Sequence, residues 1–379
     1  MFQKFLWNRK LRPFVLWSLR LFPIKRGRVV CVCWGGQKYG CNPKAITDYI
    51  ISNQNDRFEI AYAFHNPSFF KDSLPDQIKP LGIGQLYYYY WLATSHFIIS
   101  NVRFSGPFFP YKKKGQQYVF TGHGGNGIKK IEFDTDCLPK AYMQMALEDS
   151  LRIDLLLSGS AYKSRVIRSA YRYQGEILEQ GTPRNDEYIK AIKAQAHEIS
   201  SRNKHYLIYT PTFRGDGRRD VYGFDVDRII TALETRFGGE WYIRISSHPN
   251  MNSYYQEIYD FSHPRLIDVG KLELQPLLAS SDALITDYSS AEMDFSLTKR
   301  PIFQLCKDRA DYDRGFYINP ESLPFPYAET DDQLVSNILN FDNEKYLSEL
   351  EQFNRDVIGL NETGHASEAV VEWMLKRIS

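Results

Sequence analysis

The sequence predicts an α/β protein built from two doubly wound, parallel-sheet domains, and three observations carry the prediction. Short apolar runs with strand character alternate with amphipathic helical stretches nearly from end to end, as strand–helix–strand units require. The chain has 379 residues, too many for one ordinary core and enough for two domains of roughly 150–200 residues. Its 43% hydrophobic content excludes disordered and low-complexity classes, and five scattered cysteines exclude a disulfide framework.

Taken in order, Arg28–Trp34 (RVVCVCW) reads as a buried strand with Cys31 and Cys33 on one face. Gly35-Gly36-Gln37 makes the turn after it. Asn42-Pro43 then reads as an N-cap with proline at the first helical position, opening a helix through Ile51. Further strands are predicted at Phe58–Phe64, Phe97–Ser100, Gln117–Thr121, Leu155–Ser158 and Ile177–Glu179. The uncharged run from Leu81 to Val102 holds Gln85, His96 and four consecutive tyrosines, and reads as a helix followed by a buried strand rather than a membrane span. Beyond it, strands are expected at Tyr206–Thr210, Trp241–Ser246, Arg265–Asp268 and Ala283–Thr286. Helices are expected at Asp186–Ser200, Val226–Arg236, Leu274–Ala279, Asp331–Asn340 and Ser367–Ile378. The polar helix near 186–203 precedes the strong strand at 206, which puts the domain boundary at about 181–203. The expected domains are 29–185 and 186–379.

Residues 1–28 stand apart. They hold eight basic residues and no acidic one, interleaved with Phe2, Phe5, Trp7, Phe14, Trp17, Leu21 and Phe22. The remaining 39 basic and 45 acidic residues give the body a net charge of −6, which disfavours nucleic acid as a partner. No stretch approaches the ~20 apolar residues needed to span a bilayer. A signal peptide is disfavoured because no small-residue cleavage site follows a short apolar run. Cations beside Trp and Phe suit an interfacial segment on anionic lipid, although Pro13 should kink or break any single helix there. The alternative is a helix packed on the body with its cations in water.

Several unusual sequences follow predicted strands, where turns present free N–H groups and helix N-termini to phosphates. Thr121-Gly122-His123-Gly124-Gly125-Asn126-Gly127-Ile128-Lys129 puts a histidine, a candidate general base, in a glycine-rich loop. It is neither a Walker loop nor a dinucleotide fingerprint. Gly181-Thr182-Pro183-Arg184-Asn185-Asp186 reads as a turn with Asn or Asp capping the next helix. In Thr210-Pro211-Thr212-Phe213-Arg214 the arginine is placed to clamp a phosphate. Ser246-Ser247-His248-Pro249 offers a second histidine. In Ser281–Ser290 (SDALITDYSS) a buried strand runs into Asp287, Ser289 and Ser290, whose hydroxyls and N–H groups suit a phosphate, capping being the alternative. Asp308 and Arg314-Gly315-Phe316-Tyr317 close the series. No acidic pair stands out as a metal-ligand set, so metal-independent chemistry is expected.

Together, in this order and spacing, these motifs resemble the CDP-glycerol glycerophosphotransferase family, the teichoic-acid primases and polymerases that also occur in capsule synthesis. The similarity extends to Gly35, Tyr39, Asn42-Pro43 and Asn101, and is most specific from Leu277 to Tyr317. It implies a GT-B architecture, two Rossmann-like domains facing each other across a cleft. It further implies transfer of glycerol phosphate or ribitol phosphate from a CDP-polyol to a hydroxyl, with release of CMP and no cofactor. The family's functional histidines align with His123 and His248, and its donor-binding positions with Thr212, Arg214, Asp287, Ser289, Ser290 and Asp308. Gly124, Gly125 and Lys129 fall on the acceptor side. A lipid-linked saccharide acceptor and peripheral attachment to the cytoplasmic face of the membrane follow as expectations. The family usually reads Trp-His-Gly-Thr where this chain has Gly122-His123-Gly124-Gly125. Three other readings stay open: a GT-B glycosyltransferase using a nucleotide sugar, a GT-B epimerase acting on UDP-sugars, and a non-catalytic membrane-surface scaffold of a polysaccharide assembly complex.

Overall fold

The structure, a computed structural model, describes residues 12–54, 56–104, 112–135, 138–214, 218–246, 257–270, 272–312 and 314–378. The first sheet contains β1 (Lys25–Val32), β2 (Glu59–Phe64), β3 (Ile78–Gly82), β4 (Ser95–Ser100), β5 (Gln117–Phe120), β6 (Leu155–Ser158) and β7 (Glu176–Glu179). Their order is β3-β2-β1-β4-β5-β6-β7, all parallel. The second contains β8 (Lys204–Tyr209), β9 (Glu240–Ile245), β10 (Leu266–Asp268), β11 (Ala283–Thr286), β12 (Ile302–Leu305) and β13 (Tyr327–Ala328). It is also parallel, in the order β10-β9-β8-β11-β12-β13.

Around these sheets lie α1 (Arg12–Leu19), α2 (Cys41–Asn53), α3 (Leu86–Thr94), α4 (Lys140–Ser150), α5 (Ala161–Ala170) and α6 (Arg184–Ser201). The second half adds α7 (Val226–Phe237), α8 (Leu274–Ala279), α9 (Ala291–Ser296), α10 (Asp331–Leu339), α11 (Asn343–Phe353) and α12 (Ala366–Ile378). β1 shows why its sequence is apolar throughout. Val29, Cys31 and Cys33 pack with Ile46 and Ile50 of α2, whereas Val30 and Val32 pack on the other side with Trp91 and Leu92 of α3. Strand order reverses between β1 and β4 and again between β8 and β11. At such switch points the loops beyond the carboxyl ends part and leave a ligand crevice.

Four features differ from the sequence reading. β1 begins at Lys25, so the basic segment ends earlier than 28, and Arg28 is core. It is 3% exposed, pairs with Glu59 at 2.7 Å and lies 4.1 Å from the Trp91 ring centre. Strands β3, β12 and β13 were not predicted; β3 carries Pro80 on the sheet edge, where a missing N–H is tolerated, and β13 has two residues. Asn42 lies inside α2 rather than at its N-cap, which is Gly40, and its amide serves the cleft instead. Asp186 does not cap its own helix either. Its carboxylate accepts from Ala366 N (2.9 Å) and Ser367 N (2.7 Å), capping α12 across the fold.

That cap anchors the C-terminal helix on the first sheet. Val370, Val371, Trp373 and Met374 complete the core beneath β1 and β4. The chain therefore crosses back to the first sheet through α12.

Candidate active site

The crevice between the two sheets encloses a cavity of about 320 Å³, with Trp34, His123 and Arg184 on one wall and Ser289, Ser290 and Asp294 on the other. Gly122, at φ +61°, turns the chain directly after β5 and delivers His123 to the cleft. His123 Nδ1 lies 2.9 Å from the carbonyl oxygen of Asn101, beyond β4. A carbonyl only accepts, so Nδ1 carries the hydrogen and Nε2 keeps its lone pair. The Asn101 side chain accepts from Trp34 N (2.7 Å), and the indole packs on the imidazole with ring centres 4.4 Å apart. Desolvation between the cleft walls, with Arg184 and Lys163 adding positive charge, holds the imidazole below its ordinary pKa of 6.5. The neutral ring is therefore the favoured form at pH 7.

Arg184, which the sequence reading left in a turn, ties this loop to the second sheet. Its Nη1 donates to the His123 carbonyl oxygen, and its Nη2 pairs with Asp294 Oδ2 of α9 at 2.6 Å. Asn42 reinforces the arrangement, donating to Gly122 O (2.9 Å) and accepting from Arg184 N (3.0 Å). Because the guanidinium disfavours a charged imidazole, Arg184→Gln should move the His123 pKa upward. Titration of the ring proton by NMR checks this; an unmoved midpoint would leave Arg184 with the mechanical tie alone.

The Arg314-Gly315-Phe316-Tyr317 segment crosses to the first sheet. Gly315 O accepts from Lys130 N (3.1 Å), and Tyr317 N donates to Ile128 O (2.8 Å). Lys129 is thereby placed with its Nζ 3.2 Å from Thr212 Oγ1. Burial, with Arg314 and Arg214 nearby, pushes this amine down to about 8.

Arg214 is paired with two carboxylates. Its fork is bidentate on Asp308 at 2.6 and 2.9 Å, Nη2 also meets Asp287 at 2.9 Å, and Nη1 donates to Thr212 O (2.8 Å). Asp287 in turn accepts from Thr212 N (2.8 Å) and Tyr288 N (2.6 Å), and Tyr288 OH donates to Asp308 (3.2 Å). The guanidinium also lies 5.1 Å from the ring centres of both Tyr288 and Tyr312. Arg214, Asp287 and Asp308 are thus a buried cluster that fixes the loops after β8 and β11. Ser289 and Ser290 line the cleft itself, and the Ser290 hydroxyl makes no capping bond to α9.

Of the expected residues, His123, Ser289 and Ser290 share the cleft, and Lys129 joins Thr212 across it. Gly124 has open space where a side chain would lie, whereas a Cβ on Gly125 would stand 3.0 Å from Asp294 Oδ1. His248 lies outside the described residues. Among those described, no three His, Cys, Asp or Glu side chains are grouped to hold a metal ion. Trp34, Asn101 and Arg184 complete the setting of His123. Asn101 is marked only by resemblance, and Trp34 by nothing beyond its place as the last residue of a predicted strand.

Known proteins resemble this chain in sequence and in fold. The chain is 27% identical to a teichoic acid poly(glycerol phosphate) polymerase of Bacillus spizizenii, covering 97% of this chain and 96% of that protein. It is 28% identical to a teichoic acid ribitol-phosphate primase of the same organism, over 75% of this chain and 76% of the other. Of two further polymerases it spans about half the length. The solved structure of the wall teichoic acid polymerase TagF superposes with a TM-score of 0.80 at 26% identity, covering all of this chain and 97% of that one. A family model, CDP-glycerol:poly(glycerophosphate) glycerophosphotransferase, matches residues 14–376, and the chain belongs to that family.

Proposed function

We propose that this enzyme works with His123 as general base, moving a polyol phosphate from a CDP-polyol to an acceptor hydroxyl. The observation that carries the reading is His123 itself, held toward its neutral form and, among the described residues, with no hydrogen-bond partner on Nε2, in a cleft whose opposite wall presents Ser289 and Ser290. The acceptor oxygen attacks the phosphorus that bears the polyol. Its proton passes to His123 Nε2, the P–O–P bond breaks, and CMP leaves with the bridging oxygen. The products are a phosphodiester on the acceptor and CMP. Backbone N–H groups and hydroxyls at Ser289-Ser290, with Lys129 nearby, would neutralise the phosphoryl oxygens as charge spreads over them. His248 is assigned the same task by resemblance. Arg214, Asp287 and Asp308 act behind the site, holding Thr212 and the serine loop in place.

Purified protein supplied separately with CDP-glycerol, CDP-ribitol and a panel of nucleotide sugars tests this directly. CMP release from a CDP-polyol is expected. Release of a nucleoside diphosphate from a sugar donor would keep the fold and overturn the reaction.

The acceptor is proposed to be a lipid-linked saccharide reached at the cytoplasmic membrane face. Supporting this, α1 packs Leu19 against the first domain while Phe14, Trp17, Leu21 and Phe22 remain 47–73% exposed. Among the described residues no helix is long and apolar enough to cross a membrane. An aromatic ridge followed by Lys25 and Arg26 is suited to lie in an anionic interface. Trp17→Ser combined with Leu21→Ser should lower co-sedimentation with anionic phospholipid vesicles, and added salt should weaken the binding that the unaltered protein shows. Equal sedimentation of the two proteins would remove α1 from that role.

A further inference from the structure

Trp34 raises a question that the transfer chemistry leaves open. Its indole is 38% exposed in the cleft, a large apolar surface beside the base rather than in a core. Its backbone sits at φ +49°, left-handed space that a bulky residue occupies only when its surroundings insist. What insists is Asn101, whose side-chain oxygen takes the Trp34 N–H at 2.7 Å while its carbonyl takes His123 Nδ1 at 2.9 Å. One residue therefore sets the relative position of the indole and the imidazole, 4.4 Å apart with planes inclined by 45°. Such strain, held by a dedicated bond, marks a side chain whose placement matters more than its burial.

Three of the residues flanking the pair are glycines. A Cβ on Gly35, Gly122 or Gly124 would meet nothing within 4 Å. Residues 35, 122 and 124 thus add no side chain beside the indole floor that Trp34 offers to the cavity. Leu272, 63% exposed, adds an apolar surface from the second domain to the same cleft. A narrow chain of hydroxyls and phosphates has no flat apolar side to set on such a floor. A pyranose ring does: its C–H groups gather on one face, and its hydroxyls project from the edge, where His123 Nε2 waits. The electron-rich face of an indole attracts the polarised C–H groups of such a ring.

We propose that Trp34 is the stacking platform of an acceptor subsite, and that the attacking hydroxyl is presented on a sugar ring seated on its indole. This assigns the saccharide acceptor a seat beside His123 and rests on the transfer reading above. The cytosine of the donor is the other flat group available. The indole, however, belongs to the His123 wall, across the cleft from Ser289 and Ser290, where the donor phosphates are placed.

Two measurements test the subsite. The first is saturation-transfer NMR on the full chain with the methyl glycoside of a disaccharide as probe. Transfer to the ring C–H protons is expected with the unaltered protein and should be lost in Trp34→Leu, which keeps apolar packing on His123 but has no flat face. The second is steady-state CMP release from a CDP-polyol with that disaccharide as acceptor. Trp34→Leu should raise the acceptor KM about 10- to 100-fold, the usual weight of one stacking aromatic, while the donor KM moves less than about twofold. Trp34→Phe should recover most of the acceptor KM.

A rise confined to the donor KM would place cytosine on the indole and overturn the proposal. So would equal saturation transfer in both proteins, even with CMP release intact. Conversely, saturation transfer lost in Trp34→Leu, with no CMP released from any CDP-polyol, would uphold the subsite and overturn the reaction.

Discussion

His123→Ala should lower kcat by about 10²- to 10⁴-fold, the usual contribution of a positioned general base. The loss should fall on kcat more than on the donor KM, because no contact of His123 with the donor is part of the mechanism. Its pH dependence carries a further prediction. Enclosure in the cleft, then Arg184 and Lys163, hold the imidazole below 6.5, so the base form dominates across neutral pH. Activity should therefore rise with pH along an acid limb whose midpoint lies below 6.5 and stay level through pH 7. In His123→Ala that limb should vanish together with the rate. A midpoint above 7 would mean that the titrating base is another group. Full activity in His123→Ala would leave this histidine without the role.

How much of this was legible in the sequence follows from what each element buries. β6 and β11 matched their predicted bounds because a parallel strand covered on both faces reads as an unbroken apolar run. β3 did not, since three of its five residues are Lys, Pro and Gly, tolerable only on the sheet edge where it lies. Helix α12 was visible, but its place under the first sheet was not. That place is set by the Asp186 carboxylate capping a helix 180 residues further along, and no local pattern encodes such a partner.

The candidate site divides the same way. Loops beyond strand ends were legible by position, which is how His123, Ser289 and Ser290 were found. The partner of a side chain was not legible. Arg214 after a strand looks the same whether it faces a phosphate or two carboxylates. Arg184 looked like part of a turn, because its partners, Asp294 and the His123 carbonyl, come from elsewhere in the chain.

The Arg214 cluster yields the second large effect. Arg214→Ala should destabilise the protein by about 3–5 kcal/mol, since it strands carboxylates that are 4–5% exposed without their counter-charge. Asp308 states the point most directly. Burial alone would raise its pKa, and the bidentate guanidinium overrides this and holds it below 3.8. A depressed carboxylate contributes stability above its unfolded pKa and loses it as pH falls through the folded one, so the pair acts fully at neutral pH. For a domain of this size the loss corresponds to a fall in melting temperature of roughly 6–20 °C, measurable by calorimetry. Arg214→Lys should recover only part of it, because an ammonium cannot reproduce the fork on Asp308 while also reaching Asp287. Adding Asp308→Asn to Arg214→Ala should raise stability above that of the single variant, as one stranded charge is then gone. The alternative role gives the opposite pattern. Were Arg214 there to hold the donor, Arg214→Ala would melt like the unaltered protein and fail only to bind CDP-glycerol. An unchanged melting temperature would return this arginine to the phosphate-clamping role that its position after β8 first suggests.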